Sequence, residues 1–140
     1  MLILNPTEVA FGSERWANVT AVAVDRVSRR TIVEWGDAGP HVAFADVARQ
    51  EVTVRVVMAL ERGDLGAPAL GAMGTLAFMT APSGADLSRR RVSMQAVVTG
   101  VSHQIETGKR AAATRTVELV AVASAGNVDP VAITDGGPTL

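Results

Sequence analysis

The sequence predicts an all-β protein, a β-sandwich or partial barrel with at most one or two short helices. Between Glu51 and Glu61 every second residue is apolar, and the side chains of a strand point alternately to opposite faces. The same alternation returns from Arg90 to Val98, and a third run, Thr114 to Ala123, is apolar on both faces. These three ribbons predict a sheet with a buried apolar face.

The first third of the chain contains weaker strand signals. After an N-terminal segment, the run Val19–Val27 is typical of a strand, and Thr31–Trp35 is a second candidate. Ser28-Arg29-Arg30 lies between them and contains no residue that favours a strand. We therefore expect a tight reversal at Ser28–Arg30, which would pair the two runs as a hairpin.

A break in regular structure is expected at Gly36–Pro40. Glycine permits positive φ angles and proline has no amide hydrogen for a ladder, so this segment favours a turn. His41–Phe44 is then expected to form a short strand. Ala45–Gln50 is expected to form one helical turn before the long ribbon begins.

The second half of the chain alternates between strands and irregular segments. Arg62–Pro68 should end the long ribbon, β-structure should resume at Thr75–Thr80, and Ala81–Ser88 should form an exposed excursion. Beyond Gly100 the apolar positions change parity, which is the effect that a β-bulge produces. Glu106–Lys109 favours a hairpin turn.

The length of the chain fits one domain, which we place at residues 1–125. A compact domain of 140 residues buries roughly 68 to 70% of its unfolded surface, so it needs no disulfide or metal to fold. Residues 126–140 are rich in glycine, proline and aspartate and are expected to form a loosely held tail. The two apolar faces of Thr114–Ala123 require a second cover, either a helix or a neighbouring subunit.

Composition excludes several classes of site. The chain has no cysteine, which excludes disulfides and thiolate chemistry. Its net charge of −1 argues against the basic surface of a dedicated nucleic-acid binder. The N-terminus has no signal-peptide pattern, and no apolar run approaches the roughly 18 residues that span a bilayer.

Titratable residues give no pattern typical of catalysis or metal binding. The two histidines, His41 and His103, do not have the spacing of a zinc site, and no serine lies in a nucleophile elbow. Asp25, Glu34 and Asp37 could approach one another across the first hairpin, but a solvated acidic edge explains them more simply. The sequence therefore predicts no catalytic, metal or cofactor site.

The sharpest charge cluster is Arg89-Arg90-Arg91, at the start of the second ribbon. It could contact nucleic acid, form a salt-bridging patch at a subunit interface, or protect a solvated strand edge. The edge and the interface are equally compatible with the sequence. Arg55 and Gln95 lie on the polar sides of the two long ribbons, where they could face solvent, a partner or a channel.

The order of these segments resembles the tail-tube proteins of tailed phages. The likeness spans roughly residues 19–124 and includes Phe44-Ala-Asp-Val-Ala-Arg-Gln50 leading into Glu51-Val-Thr-Val-Arg-Val56, a loop excursion, and a closing hairpin to Arg115-Thr-Val-Glu-Leu-Val120. The glycine-rich segment from Gly63 to Gly74 and the tail beyond the last strand depart from this layout. These departures leave a related baseplate or tail-end protein as an alternative.

The resemblance implies a structural virion protein of the phage tail, made in the host cytoplasm. In that family six copies form a ring, and the rings stack into a tube through which DNA passes without specific binding. The two long ribbons would be candidates for the channel wall. The excursion Pro82–Ser88, with Leu87, would be a candidate contact with another subunit, and other tail or baseplate proteins would be partners. No membrane and no cofactor would be involved.

Two other classes of function fit a small all-β domain. A ligand-binding or protein-binding β-sandwich would usually expose aromatic side chains, whereas this chain has two tryptophans, three phenylalanines and no tyrosine. An enzyme would require a reactive constellation, and the sequence contains no recognisable one. The size of the particle in solution separates an assembling subunit from both.

Overall fold

The computed structural model describes residues 1–60, 66, 68–80, 89–107 and 112–135. Within these residues the chain forms strands and no helix, which confirms the all-β fold class. The strands are β1 (Leu2–Leu4), β2 (Thr7–Phe11), β3 (Glu14–Arg15), β4 (Val19–Trp35), β5 (Val42–Leu60), β6 (Met73–Met79), β7 (Arg90–Glu106), β8 (Ala112–Val122) and β9 (Ala132–Asp135). The described part of the chain has no helix long and apolar enough to cross a membrane.

All of these strands belong to one antiparallel sheet, which curls into a half-barrel. The strand order is β1-β4-β5-β8-β7-β6-β2-β3, and β9 pairs with β7. Because β6 occupies the other side of β7, β9 lies on the same side of β7 as β8. The same edge of β7 thus pairs with β9 at residues 90–93 and with β8 at residues 95–106.

The hydrophobic core lies on one face of this sheet, which we call the core face. In β5 the alternating residues Val54 and Val56 are almost completely buried, and they lie opposite Leu119 and Val117 of β8. Burial of each such side chain contributes roughly 1.5 to 3 kcal/mol. The alternation that predicted the long ribbon therefore marks the centre of the core.

Strands β2 and β6 close one end of the core face. Phe11 stacks on Trp16 with ring centroids 5.3 Å apart, and Phe78 of β6 is buried. Gly74 lies in β6 where a Cβ atom would be 3.3 Å from both the Phe11 ring and the Gly12 nitrogen. A side chain here would require the Phe11 ring and the Gly12 backbone to move by a few tenths of an ångström.

The predicted reversal at Ser28–Arg30 and the predicted helical turn at Ala45–Gln50 are both wrong. Strand β4 continues through the first segment, and β5 contains the second. The register shifts around Arg30 show that bulges absorb the unfavourable residues without reversing the chain. A single helical turn is costly to nucleate, whereas β4 pairs with every residue of this segment except Ala48. The chain reverses instead at the predicted break, Gly36–Pro40.

The change of parity at Gly100 is confirmed. The β7–β8 register shifts between Val98 and Gly100, so the core-facing positions pass from Val98 to Val101 across the bulge. Both residues contact the same core, Val98 as a buried residue and Val101 as a partly buried one. The glycine thus lets one strand keep its apolar side chains on the core face through a bend.

The C-terminal segment that we expected to be a tail contributes to the sheet. Ala132–Asp135 forms β9 against Arg90–Ser93 of β7, and Val131 is buried in the core. The ordered sheet therefore reaches at least Asp135. The predicted excursion Pro82–Ser88, and parts of the predicted Arg62–Pro68 loop and Glu106–Lys109 turn, lie outside the described residues.

We expect Val54→Asp to unfold the protein. Val54 is 1% exposed, and an ionised carboxylate at this position has no partner in an apolar core, so the cost is several kcal/mol against a total stability of about 5 to 15. Far-UV circular dichroism and urea unfolding measure the effect. Arg55→Asp is the matched control, because Arg55 is exposed on the next position of the same strand. A cooperative transition of normal stability in Val54→Asp would contradict the assigned core face.

Candidate assembly interface

The structure places Arg55 and Gln95 on the same face of the sheet, the one opposite the core face. We call it the second face. Val120 of β8 lies opposite both Thr53 of β5 and Val97 of β7, so these three side chains point to the same face. Arg55 is two positions from Thr53 and Gln95 is two positions from Val97, so both share that face. The sequence left open what the polar sides of the two long ribbons, with Arg55 and Gln95, would face. The two sides are one surface.

The second face carries mixed and nearly balanced polarity. The amide Nε2 of Gln95 donates a hydrogen bond of 2.6 Å to Oγ1 of Thr75 on the adjacent strand. Arg55 lies opposite Glu118, and the Thr99 hydroxyl donates to the backbone oxygen of Glu118 at 3.3 Å. Arg55 and Glu118 thus place opposite charges side by side on this face, and Arg91 lies on the same face at the start of β7.

Apolar residues on the second face of β8 remain partly uncovered, as the two-faced pattern of this strand predicted. Val120 is half-buried and Val122 is exposed, whereas Val117 and Leu119 on the core face are fully buried. The described residues place no helix over this surface. The cover that the sequence requires is therefore not supplied by the described part of the chain.

The arginine cluster lies at the end of β7 where β9 joins it. Arg90 is opposite Asp135, and Arg91 is opposite Thr134; both arginines are exposed. Arg89 is half-buried, and its Nε atom has no hydrogen-bond partner among the described residues. Leu87, the other residue expected at a contact, lies outside the described residues.

The most prominent surface feature was missed by the sequence analysis. Beyond the end of β8, β4 and β5 continue as a two-stranded hairpin, residues 27–35 and 42–50, which we call the arm. At about 3.3 Å per residue the arm extends roughly 30 Å from the sheet. The signal in the sequence was strand-like composition on both sides of Gly36–Pro40, which the assumed reversal at Ser28–Arg30 concealed.

The arm exposes apolar side chains on both of its faces. A lone two-stranded hairpin is at best marginally stable in water, because neither of its faces is covered. The large apolar side chains exposed on the arm are Val27, Ile32, Val33, Trp35, Val42, Phe44 and Val47. Exposed apolar surface concentrated in one element marks an interaction site.

Charges divide the arm into a basic root and an acidic tip. Arg29, Arg30 and Arg49 lie near the sheet, whereas Glu34 and Asp46 lie farther out. Arg29 pairs with Glu51 through its Nε atom, while Arg30 lies directly opposite Arg49. Like charges on directly opposite residues repel, so this pair is unfavourable in the isolated chain.

A cleft of about 680 Å³ opens beneath the root of the arm. One wall is the edge of β5 at residues 47–50, whose β8-side partner strand has ended, and the other is the turn at residues 126–130. Arg26 of β4 contacts Asp129 Oδ2 through its Nη2 atom at 3.0 Å and so connects the turn to the strand that pairs with β5. The cleft is within the volume range of ordinary ligand pockets.

The titratable residues weighed in the sequence do not converge. Asp25 and Glu34 lie nine positions apart on one extended strand, and Asp25 is 3.8 Å from the N-terminal ammonium group. His103 accepts a hydrogen bond of 3.1 Å from Nε of the buried Arg115 on the opposite strand. The described residues contain no group of three or more His, Cys, Asp or Glu side chains that could hold a metal ion.

Comparison with known proteins gives no match, either to a protein-family model or to a curated protein. Functional inference therefore depends on the surfaces described above.

The carboxyl group of Asp129 provides a test of the cleft wall. Its pKa lies below the usual range, mainly because the Val131 backbone N–H donates to Oδ1 at 3.0 Å; partial burial opposes this, and Arg26 adds a smaller lowering. Because the pKa is lower in the folded protein, this carboxylate stabilises the fold at pH values above its ordinary pKa of about 3.9. The stabilisation is lost as the pH falls through the lowered pKa.

We expect carbon-13 NMR to give a titration midpoint for Asp129 below about 3.9. In Arg26→Ala the midpoint should rise only part of the way, because the hydrogen bond from Val131 remains. A midpoint at or above the ordinary value in the unmodified protein would contradict the geometry of this wall.

Proposed function

We propose that this protein is a structural subunit of a phage tail, whose copies assemble into stacked rings that form the tail tube. The observation that carries the proposal is the arm. Its exposed apolar side chains cannot be covered by the described part of its own chain, and symmetric assembly supplies the same cover to every copy. Six copies per ring is the number that the resemblance to tail-tube proteins implies.

The second face supports a channel wall. DNA binds tightly where several phosphates are neutralised by lysine and arginine, so a conduit requires a wall without a basic strip. Arg55 is offset by the opposite Glu118, and Gln95 and Thr75 satisfy one another by a hydrogen bond. In this proposal DNA passes the wall without specific binding, and the protein has no catalytic role.

The location in a virion follows from the proposed assembly. The subunit is made in the host cytoplasm and becomes part of the tail, where other tail or baseplate proteins contact the ends of the tube. A baseplate or tail-end ring of the same fold would use the arm in the same way. The size of the particle in solution distinguishes a tube subunit and a baseplate or tail-end subunit from a binding module, which remains monomeric or dimeric.

We expect the purified protein to form rings or filaments that depend on the arm. Trp35→Ser combined with Phe44→Ser should abolish them while leaving the unfolding transition intact, because both side chains are more than half exposed in the single chain. Light scattering after size-exclusion chromatography and negative-stain microscopy measure the assembly. Leu70→Ser is the control, since Leu70 is equally exposed but lies outside the arm. Monomers of the unmodified protein at high concentration would contradict the proposal.

The arginine cluster gives a second test of assembly. We expect Arg90→Glu to leave folding intact, because Arg90 is exposed, and to impair assembly by reversing the charge of a contact at the end of β7. Thermal unfolding and particle mass measure the two effects separately. Normal assembly of Arg90→Glu would assign the cluster to a solvated edge and not to an interface.

A further inference from the structure

The root of the arm contains an unneutralised pair of cations. Arg26 contacts Asp129 and Arg29 contacts Glu51, but Arg30 and Arg49, which lie opposite one another, form no ion pair within the described residues. The register shifts on both sides of Arg30 place this pair at a double bulge. Bulges of this kind re-aim side chains and occur next to functional sites. The pair therefore presents two exposed positive charges that no carboxylate of the described residues neutralises.

The cleft beside this pair suits an extended segment of protein. Arg49 is part of its lining, together with Val47, Val52, Val128 and Pro130. The lining also contains Gln50, Asn127 and the Arg26–Asp129 ion pair, so the cleft combines apolar and polar side chains. Before Thr53, β5 has no partner on its β8 side among the described residues, so the backbone along this wall can accept an added strand.

The tip of the arm has the complementary chemistry. Ile32 is opposite Asp46 and Glu34 is opposite Phe44, so these four residues share one face of the arm. Phe44 is 52% exposed and both acidic residues are exposed. This face combines two apolar side chains with two carboxylates. It matches a cleft whose lining combines apolar residues with Arg49, beside which the opposite residue, Arg30, adds a second positive charge.

A chain cannot make this contact with itself. Phe44 and Arg49 lie five positions apart on one extended strand, a distance of roughly 17 Å. The β4 partner holds the arm extended through this segment, so folding the tip onto its own root would break the ladder. An arm tip that occupies the cleft must therefore come from another molecule.

We propose that the tip of the arm of one copy binds the root cleft of a second copy, with Glu34 and Asp46 facing Arg30 and Arg49. This inference rests on the proposed assembly and identifies its contact. The apolar half of the cleft favours the arm over a nucleic acid, whose phosphates would use only the arginines. Opposite charges also fix the register of the contact, because a tip placed on a tip or a root on a root would be repelled.

Charge reversal tests the contact in two complementary variants. The tip variant carries Glu34→Arg and Asp46→Arg, and the root variant carries Arg30→Glu and Arg49→Glu; all four residues are exposed, so each variant should fold. Each variant alone should lose the assembled fraction in light scattering. An equimolar mixture should regain it, because the reversed tip of one variant fits the reversed root of the other.

A matched control separates the contact from net charge. Glu14→Arg combined with Glu106→Arg makes the same change in net charge as the tip variant, at exposed residues outside the arm, and it should assemble normally. Loss of assembly in this control, or no recovery in the mixture of tip and root variants, would overturn the proposed contact. Thermal unfolding of each variant checks that the fold is retained.

The outcomes distinguish this inference from the proposed function. An unmodified protein that assembles and is indifferent to both reversals would overturn the contact and leave the tail-tube proposal standing. A closed dimer that responds to the reversals and recovers on mixing would support the contact and overturn the ring. Assembly that requires added DNA would assign the arginine pair to phosphates and overturn the contact.

Discussion

The pairing of β4 with β5 is the constraint on which the rest of the structure depends. One half of this ladder lies in the sheet, where Val22 and Val24 are buried beside Val54 and Val56. The other half continues outward as the arm, where the same backbone hydrogen bonds have no core beneath them. Because the ladder is continuous, the position of the arm is set by side chains buried in the sheet. The sheet therefore fixes the orientation of the arm although no other part of the described chain packs on the arm.

The sequence predicted the parts of the fold that depend on local periodicity. Alternation identified the core segments of β5 and β7, and the parity change at Gly100 located the bulge. Ser28-Arg29-Arg30 was misread, since a bulge and a tight reversal both favour residues that fit a strand poorly. The helical turn at Ala45–Gln50 was misread because the pairing with β4 that overrides helix propensity is not a property of the segment itself.

The candidate interface was only partly predictable. Arg55, Gln95 and the arginine cluster were identified as polar positions on strands, but their placement on one face required the registers on both sides of β8. The cleft was inaccessible to sequence reasoning, since it forms between β5 and a turn more than seventy positions later. Likewise, the opposition of Arg30 and Arg49 results from two register shifts that no local pattern indicates.

The double bulge around Arg30 also helps an exposed hairpin to avoid stacking into fibres with other hairpins. Cross-β stacking needs flat, regular strands whose edges repeat without interruption, and long uncharged edges are the most hazardous. The two register shifts interrupt that regularity, and the arginines beside them add charge to the edge. The irregularity at the root of the arm therefore disfavours amyloid-like pairing between arms that meet at random.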